Sequence, residues 1–468
     1  MSNNRKSTLT TLLGICAILL LSVVVPQTVS DEESVMPAAR SLFPSLSIGG
    51  FAAEASTPMT PADAALMRVA QRMSKRIVRN QGTSPTISTL TEALKQQRSL
   101  LQNHTTVALR LPDNPDYRTW EVNLQRYPTW LKADISPASA YFRVDEERIG
   151  QYLQHETIDG IIIPKKAIIS AIETDGDVER VVTSTGAARP GIVFDLPTVT
   201  RDLATALSNG TKSLVAPLYR VGGPVENQTE TPLGELTLLG VGKSDFKGST
   251  AGRMFNVRKA INEQVNNALV PPGATFSFND TLGGPVTLGN GWREAKVIFN
   301  TNELRMAPGG GICQASTTTF RAMLNAGFPS VERANHSMYV SYYEKFGVGI
   351  DATVFPGQQD LTFVNDTGNY LLLQAYTEGT EAVVQIYGTS DGRSSVITGP
   401  FFAQSDLANF PENERAPRRN EIAWVQRIIF TDGREESRMI YSRYTSLPIR
   451  LAQKYEALVH ASAGQETM

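Results

Sequence analysis

The stretch "PGGGICQASTTTF", which begins at Pro308, is the sequence feature that most restricts how this chain folds. Three consecutive glycines precede residues 315–326, where apolar side chains recur at helical spacing. Gly327 is a suitable C-terminal cap, and Pro329 cannot continue a helix. The pattern predicts a tight glycine turn that leads into an amphipathic helix, with Cys313 at the N-terminus of that helix.

The chain has two cysteines, and their settings differ. Cys16 lies in an apolar N-terminal segment, which leaves Cys313 as the thiol of the folded body. Free N–H groups and the positive end of the helix dipole stabilise a thiolate at a helix N-terminus and lower its pKa. The three glycines remove side chains that would block the approach of a substrate backbone. This setting favours a reactive cysteine, and the alternative is a small buried hydrophobic residue.

A thiolate nucleophile needs a general base and a group that orients that base. His336 and Asp351 follow Cys313 along the chain, and we predict one strand with the histidine and another with the aspartate. For the two to face each other across a tight hairpin, the turn must lie midway between them. The stronger turn signal comes later and would offset them, so Asp360 and Asn365 are alternatives for the orienting role. The structural alternative is that His336 is a core or loop histidine.

The composition argues against several classes of function. The 468 residues carry a formal net charge of −2, with 41% hydrophobic and 19% charged residues, which is typical of a globular chain of about two to four domains. This balance provides no basic surface for nucleic acid. The four histidines have no metal-ligand spacing, and "GGPVTLGNG" lacks the Gly-Lys-Ser/Thr end of a P-loop. We therefore predict no metal, no cofactor and no nucleic-acid partner.

The N-terminus has the pattern of an export segment. Arg5 and Lys6 precede an uncharged stretch, residues 7–30, whose apolar centre ends at Pro26. The apolar run is long for a signal peptide and short for a membrane span of roughly 20 residues. A cleaved signal and an uncleaved membrane anchor both fit residues 1–30, and both place the body outside the cytoplasm.

The remaining chain divides into further segments by composition and periodicity. After residues 1–30, we predict a linker with two helices (31–104), a small α+β module (105–225), a second α+β domain (233–390) and a C-terminal β-hairpin extension with its tail (391–468). A polar stretch at 224–232 reads as a linker between the two α+β parts. Asp432-Gly433 is a turn signal for the C-terminal hairpin.

The small α+β module contains an internal echo. "VDEERIGQYL" and "FDLPTVTRDL" each place an aspartate, Asp145 or Asp195, four residues before a β-branched residue and eight before a leucine. An aspartate can cap a helix whose following positions at +4 and +8 lie on one face. The echo predicts two copies of a small strand–helix unit.

Six motifs in the second half of the chain occur in an order that resembles the VanW family. They are "PPGATFSFN", "GGPVTLGNGWREAKVI", "GGGICQASTTTF", "AGFPSVERANHSMYVSYY", "GIDATVFPGQQDLTFVN" and "VVQIYG", within residues 233–388. The resemblance implies an exported cell-envelope protein. It also makes motif positions of Cys313, Gln314, Thr317, Thr318, His336 and Asp351, although the stretch "YYEKFGVGIDATV" departs from the usual tyrosine–proline–glycine turn. Residues 105–225 resemble, more weakly, the peptidoglycan-binding domain that often precedes this family.

Three functions fit these features. The first is an enzyme in which Cys313 attacks an amide or ester, His336 moves the proton and Asp351 orients His336. The second is a module that binds peptidoglycan, or another envelope peptide or glycan, in a groove. The third is a structural envelope scaffold, and the sequence leaves the choice between enzyme and non-enzyme open. The predicted substrate-binding residues are Gly309, Gly310, Gly311, Gln314 and Trp292.

Overall fold

The structure is a computed structural model that describes residues 59–299, 303–403, 410–448, 451 and 453–455 of the chain. Helices and strands are mixed throughout, so the predicted α+β class is confirmed. The predicted signal or anchor segment and Cys16 lie outside the described residues. Among the helices that are described, none combines the length and apolar character needed to cross a membrane.

The helices and strands follow one another as α1 (Pro61–Gln81), α2 (Ile87–Leu101), β1 (His104–Leu111), β2 (Asn114–Asn123), β3 (Leu131–Ile135), β4 (Ala140–Val144), α3 (Glu146–His155), β5 (Ala167–Asp175), β6 (Val178–Thr183), β7 (Gly191–Phe194), α4 (Leu196–Asn209), β8 (Ser213–Val221), β9 (Val225–Asn227), β10 (Thr237–Asp245), α5 (Ala251–Lys259), β11 (Ala268–Val270), β12 (Thr275–Ser277), α6 (Phe278–Thr281), β13 (Glu294–Phe299), β14 (Glu303–Pro308), α7 (Ile312–Asn325), β15 (Ser330–Glu332), β16 (Thr362–Val364), β17 (Leu371–Glu378), β18 (Glu381–Gly388), β19 (Ser394–Phe401), β20 (Glu421–Ile429) and β21 (Glu435–Arg443). Short 3-10 helices lie at Pro128–Trp130 and Ser341–Phe346, and a π-helical segment, Ala260–Val265, continues α5.

The chain forms two compact units, and it alternates between them. The first unit includes the described residues up to Ile161 and the segment Val193–Tyr219. The second includes Ile162–Ile192 and the described residues from Arg220 onward. This alternation differs from the linear order of segments that the composition predicts.

In the first unit, helices α1 and α2 pack together as a pair, and the sheet has the strand order β2-β1-β8-β7. Helices α3 and α4 begin as the echo predicts. The Asp145 side chain accepts from Glu147 N at 3.2 Å, and the Asp195 side chain accepts from Thr198 N at 3.1 Å. The side chains at +4 and +8 from each aspartate are buried: Ile149, Leu153, Val199 and Leu203. The predicted caps and buried faces are confirmed.

The second unit is built on a seven-stranded sheet with the order β10-β18-β17-β11-β6-β5-β9. Sequence reasoning places the hairpin β5–β6 in the small preceding module, but β6 pairs antiparallel with β11 through Ala268 and Arg180. The polar stretch 224–232 is not an open linker, because β9 pairs in parallel with β5. The hairpin of β20 and β21 at the C-terminal end turns at Gly433 (φ 83°), as the Asp-Gly signal predicts.

Helix α7 lies close against β10, and two glycines of β10 make this close approach possible. A Cβ atom at Gly242 would stand 2.0 Å from Thr318 O, and one at Gly240 would stand 2.5 Å from Ala326 N. Helix α7 is covered on nearly all sides, including by the core around Phe320 and Met323. The predicted amphipathic helix therefore has a polar face that is buried as well.

Candidate active site

The glycine turn and the helix predicted around Cys313 are both present. Gly309 and Gly311 have positive φ values of 84° and 114°, which an L side chain rarely adopts. The turn is closed by a hydrogen bond from Ile312 N to Gly309 O at 3.0 Å. Cys313 is the second residue of α7. Its backbone N–H is therefore one of those that have no acceptor within the helix itself.

The space above the three glycines is filled by the protein's own chain. A Cβ at Gly309 would lie 2.2 Å from Val286 Cγ1, and one at Gly310 would lie 2.7 Å from the carbonyl carbon of Ala295. A Cβ at Gly311 would lie 3.0 Å from Arg253 Cγ. The glycines are thus required by the turn and its packing. They do not form the open floor for a substrate that the sequence predicts.

The Cys313 thiol is partly buried and not in a disulfide. Its Sγ donates to Val354 O at 3.5 Å and lies 3.6 Å from Thr353 Oγ1. The segment that carries these two residues also carries Asp351. The thiol and the proposed orienting residue are therefore held by the same short stretch of chain.

His336 and Asp351 are in direct contact. His336 Nδ1 lies 2.6 Å from Asp351 Oδ2, and His336 N donates to the same oxygen at 2.8 Å. Only 7% of His336 and 1% of Asp351 is exposed. With Nδ1 bound to the carboxylate, Nε2 is the ring nitrogen that is able to accept a proton from Cys313.

The route to this pairing differs from the predicted pair of strands, since neither residue lies in a strand. An isolated antiparallel bridge joins Ala334 to Thr353. In the same register, His336, two residues after Ala334, lies opposite Asp351, two residues before Thr353. The chain between them contains the 3-10 helix Ser341–Phe346 in place of a tight turn. The chain between the two residues forms a wide loop and not a tight turn, so the position of the turn signal does not determine which residues lie opposite each other.

Arg321 of α7 holds this loop in position. Its guanidinium donates to the carbonyl oxygens of Ile350 (3.0 Å), Tyr343 (3.0 Å), Gly347 (2.7 Å) and Lys243 (2.7 Å). Ser316 Oγ and Thr317 Oγ1, also on α7, donate to Ala352 O at 2.7 and 3.2 Å. The helix that presents Cys313 is thus bonded directly to the residues on either side of Asp351.

The other oxygen of Asp351 is bound by a residue from the C-terminal hairpin. Tyr444, which directly follows β21, donates its hydroxyl to Asp351 Oδ1. Arg333 Nη2 lies 3.8 Å from the same oxygen. Hydrogen bonds from Thr445 N to Ser337 O (2.8 Å) and from Asn335 Nδ2 to Arg443 O (2.7 Å) join the two segments around this contact. Both carboxylate oxygens are therefore fixed.

The pKa values of Cys313 and Asp351 are shifted toward the charged forms. Burial disfavours a charged Cys313, but interactions with His336, Val354 and Thr353 outweigh it and lower the pKa of the thiol to about 7. Burial also disfavours charge on Asp351, yet the hydrogen bonds and charge of His336, with the charge of Arg333, lower the pKa of this carboxyl to about 2.

The pKa of His336 moves in the complementary direction. Burial alone would lower it, whereas Tyr343, Asp351 and Cys313 raise it well above its usual range. Burial raises the pKa of Tyr343, so this phenol is neutral at neutral pH. The charged partners of the imidazolium are then the Asp351 carboxylate and the Cys313 thiolate. The arrangement stabilises a thiolate–imidazolium pair near neutral pH.

The two alternative orienting residues lie elsewhere. Asp360 accepts hydrogen bonds from Ser277 Oγ at 2.6 Å and from Asn279 N at 3.0 Å. Asn365 Nδ2 donates to the carbonyl oxygens of Val270 and Pro271 at 2.9 and 3.0 Å. Both residues stabilise turns of the chain, and Asp351 takes the position next to His336.

Two predicted substrate-binding residues are buried within the protein. Trp292 is 3% exposed, packs in the core and has Lys259 Nζ 5.5 Å from its ring centre. Gln314 is fully buried, and its Nε2 donates to Ser244 Oγ at 3.1 Å. Thr318 bonds to the same serine at 2.7 Å. These side chains stabilise α7 against β10 and are not placed to contact a ligand.

Sequence reasoning does not find Tyr444, Arg333 or Arg321. Tyr444 lies more than a hundred residues from Cys313 in sequence, within a hairpin that gives only a strand signal. The two arginines act through backbone carbonyls, which have no sequence signature. Their signal, if any, is a charged residue within an otherwise apolar pattern, as at Arg321 in α7.

The part of the chain that carries this site matches a known family. Residues 252–387 match the family described as "VanW like protein". They form a VanW-like domain. "Uncharacterized protein YoaR" of Bacillus subtilis (strain 168) is 34% identical to this chain over 144 residues. The alignment covers 31% of this chain and 46% of that protein, so the chain spans about half the length of this curated relative. No solved structure matches the chain.

The family match includes Cys313, His336 and Asp351 but ends before the C-terminal hairpin. Tyr444 therefore reaches the site from outside the VanW-like domain as the match defines it. Among the described residues, no group of three or more His, Cys, Asp or Glu side chains is suited to hold a metal ion. The chemistry that the site offers is that of a thiol, an imidazole and a carboxylate.

Proposed function

We propose that this chain is a cell-envelope enzyme that transfers or hydrolyses acyl groups through Cys313. The observation that carries the proposal is the fixed His336–Asp351 pair, with 2.6 Å between Nδ1 and Oδ2, next to a thiol whose pKa is about 7. A cysteine that only fills space needs neither an oriented imidazole nor a lowered pKa.

The proposed reaction has two steps. Cys313 Sγ attacks the carbonyl carbon of an amide or ester, and its proton is held by His336 Nε2. The oxyanion that forms accepts a hydrogen bond from the Cys313 N–H at the start of α7. His336 then gives its proton to the leaving amine or alcohol, which departs and leaves a thioester on Cys313. Water or an acceptor amine attacks the thioester, and the thiol is restored.

Asp351 has an orienting role in this scheme. Its carboxylate keeps the proton of His336 on Nδ1 and stabilises the imidazolium that forms when Cys313 loses its proton. Because the pKa of Asp351 is about 2, the carboxylate stays charged over the whole range in which the thiol titrates. The same logic describes other cysteine hydrolases, whose resemblance to this site is one of residue order.

The proposed substrates are peptides of the envelope, with peptidoglycan stem peptides as the first class to test. This rests on the export pattern around Arg5 and Lys6 and on the VanW-like match. Residues 105–225 are proposed to bind cell-wall material. The body is proposed to lie outside the cytoplasm, either secreted or anchored through residues 1–30. Fractionation that finds the full chain in the cytosol with its N-terminus intact would contradict the location.

The test is a search for the thioester. The protein is incubated with soluble peptidoglycan fragments that carry stem peptides, and its intact mass is measured over time. We expect an acyl adduct on Cys313 that is absent in Cys313→Ala. In His336→Ala the adduct should form more slowly if His336 limits the first step, or should persist longer if His336 limits hydrolysis of the thioester. If the wild-type protein binds the fragments but neither forms an adduct nor changes them, the chain is a binding module. If it neither binds nor reacts, peptidoglycan peptides are not its substrates.

A further inference from the structure

Helix α5 lies beside the glycine turn and is fixed there by Asn256. The Asn256 side chain donates to Gly310 O at 3.0 Å and to Arg293 O at 2.8 Å, and it accepts from Arg293 N at 2.8 Å. Gly252 lets the same helix approach the chain closely, since a Cβ there would lie 2.5 Å from Glu294 O. The position of α5 relative to the start of α7 is therefore well defined.

Arg253, one turn before Asn256, places a positive charge next to this helix start. Its stem packs against Gly311, where an added Cβ would lie 3.0 Å from Arg253 Cγ. Its guanidinium stacks over the Tyr342 ring, with 4.4 Å from Cζ to the ring centre. The neighbouring Tyr343 ring packs against His336 at 5.6 Å between ring centres. Arg253 thus spans from the glycine turn to the loop that borders His336.

The guanidinium of Arg253 has no acidic partner within the described part of the chain. Its Nη1 donates to Ser249 Oγ at 2.8 Å. Arg321 and Arg333, by comparison, donate to several carbonyl oxygens, and Arg333 also lies near Asp351. Arg253 and Tyr342 are both partly exposed. A partly exposed arginine with N–H donors to spare, packed against the glycine turn that precedes Cys313, is suited to bind an anionic group of a ligand.

The electrostatics of the neighbouring phenol support this placement. Burial raises the pKa of Tyr343, while the positive charges of His336 and Arg253 oppose that rise and Cys313 adds to it. The charge of Arg253 and the thiol of Cys313 therefore both act on one side chain. Both groups therefore lie around the same tyrosine, Arg253 beside the glycine turn and Cys313 at the start of α7.

We propose that Arg253, held by the face of Tyr342, binds a carboxylate of the substrate next to the carbonyl that Cys313 attacks. The Tyr342 ring fixes the plane of the guanidinium and leaves its N–H edge available for two parallel hydrogen bonds to the carboxylate. The carboxylate is either the free C-terminus of a peptide or an acidic side chain beside the reacting bond. This inference rests on the proposed function, because it assigns the substrate class of the same site.

Two alkylating reagents of nearly equal size test the inference on the intact protein. Iodoacetate carries a carboxylate and iodoacetamide does not, and both alkylate the same thiolate. In Arg253→Gln we expect the ratio of the iodoacetate rate to the iodoacetamide rate to fall by about fivefold to tenfold, as the loss of one charge-assisted contact implies. The iodoacetamide rate itself should stay near that of the wild type.

The matched control is Arg258→Gln, which removes the same charge from the same helix. Arg258 is exposed and donates to Gly379 O at 3.3 Å, so its loss should leave the ratio unchanged. Arg253→Lys should keep part of the preference, because lysine is a point charge without the fork geometry. An unchanged ratio in Arg253→Gln, or equal losses with both reagents, overturns the inference while the proposed enzyme stands. A wild-type thiol that reacts with neither reagent near neutral pH overturns both.

Protection experiments identify the source of the carboxylate. Short peptides are compared in two pairs as inhibitors of Cys313 alkylation. The members of the first pair differ in having a free or an amidated C-terminus, and those of the second differ in having glutamate or glutamine. We expect the carboxylate member of one pair to protect the wild type and to lose that protection in Arg253→Gln. Equal behaviour within both pairs, whether or not the peptides protect, counts against a carboxylate subsite.

Discussion

At the residue scale, a short series of side-chain contacts links the end of the C-terminal hairpin to the thiol of Cys313. Tyr444 binds one oxygen of Asp351, the other oxygen binds His336, and His336 acts on Cys313. Each link is a short contact between buried or partly buried groups, where hydrogen bonds to charged groups are strong. A change at one end is therefore expected to appear as a change in the titration of the thiol.

The pH dependence of Cys313 alkylation is the first prediction. With a thiol pKa of about 7, the rate should rise through half of its maximum near that pH and level off above it. His336→Ala removes the interaction that outweighs burial, so the thiol pKa should return to its ordinary value of 9.0 or above. The alkylation rate at pH 7 should then fall by about fiftyfold, since only the thiolate reacts.

The control for this titration is His155→Ala, because His155 is an exposed histidine at the end of α3. Its loss should leave the alkylation profile as in the wild type. Slow alkylation at every pH, with no response to His336→Ala, would instead describe a buried structural cysteine. The proposed enzyme would then have to be given up.

Tyr444→Phe is the second prediction and tests the far end of the chain of contacts. The variant keeps the ring and loses the hydroxyl that donates to Asp351 Oδ1. The carboxylate then has one oxygen without its donor, and its hold on His336 weakens. We expect the midpoint of thiol alkylation to move upward by about half to one pH unit and the free energy of unfolding to fall by about 2 kcal/mol.

Tyr441→Phe is a matched control, because Tyr441 lies in β21, three residues before Tyr444. Its hydroxyl donates to Arg415 O at 2.6 Å and has no contact with Asp351. The control should leave the thiol titration unchanged. If Tyr444→Phe lowers stability but leaves the titration at the wild-type midpoint, Tyr444 supports the fold and does not position the site.

At the element scale, local signals predict helices well and partner strands poorly. The loose apolar periodicity that begins at Pro61 predicts a helix, and α1 is observed at Pro61–Gln81. It also predicts α7 from the glycine turn. The sequence groups the hairpin β5–β6 with its neighbours along the chain, since nothing local to residues 167–183 indicates that β11, some ninety residues later, is its partner. The same limit explains why His336 and Asp351 were predicted on strands, because the wide loop between them is held by Arg321 of another element.

The site itself was predictable to the extent that its chemistry depends on residue types. His336 and Asp351 are in contact although the turn signal predicts an offset between them, while Gln314, Trp292 and the glycines are packing residues. A sequence gives the same signal for a glycine that faces a substrate and for one that faces its own chain. The positions of Val286, Ala295 and Arg253 distinguish the two in the folded structure.

The contact of α7 with β10 leads to the third prediction. A methyl group at Gly242 would meet Thr318 O at 2.0 Å, and backbone atoms are not free to move aside. Gly242→Ala should therefore lower the free energy of unfolding by about 3 kcal/mol, at the upper end of the usual cost of overpacking. Urea unfolding followed by circular dichroism measures this change.

Gly368→Ala is the comparison, because nothing lies within 4 Å of a Cβ built at that position. Its effect should stay within about 1 kcal/mol. Equal stabilities for the two variants would mean that α7 stands further from β10 than described. In that case the positions of Cys313 and Arg321, which α7 carries, would also be in question.

At the scale of the whole molecule, the second unit draws on two separate parts of the chain. Residues 162–192 supply β5 and β6, and residues from 220 onward supply the rest of the seven-stranded sheet. The composition suggested modules in linear order, because a polar stretch at 224–232 resembles a boundary. A boundary in composition and a boundary in contacts are different properties, and the second depends on pairings between distant strands.

The last prediction tests whether this early hairpin and the thiol site unfold together. Arg180 of β6 donates to Gln264 O at 2.6 Å and to Thr281 O at 2.8 Å, both in the part of the chain that precedes α7. Burial lowers the pKa of this arginine, and its ion pair with Asp175 at 3.3 Å opposes that shift, so the charged group depends on Asp175 as well as on these carbonyl partners. Arg180→Gln should cost about 3 kcal/mol, because it leaves buried acceptors without their charged donor.

Two probes of urea unfolding decide the question: circular dichroism for the whole chain and pulsed alkylation for the exposure of Cys313. If the second unit is one cooperative body, Arg180→Gln should shift both midpoints to lower urea by the same amount. Lys166→Gln is the control. Lys166 lies directly before β5 and forms an exposed ion pair with Glu226. Its loss should change the free energy of unfolding by no more than about 1 kcal/mol with either probe. A shift in circular dichroism with an unchanged alkylation midpoint would show that the hairpin unfolds independently of the site. In that case the early hairpin would belong to the second unit by its strand pairing, but its stability would not be coupled to that of the site.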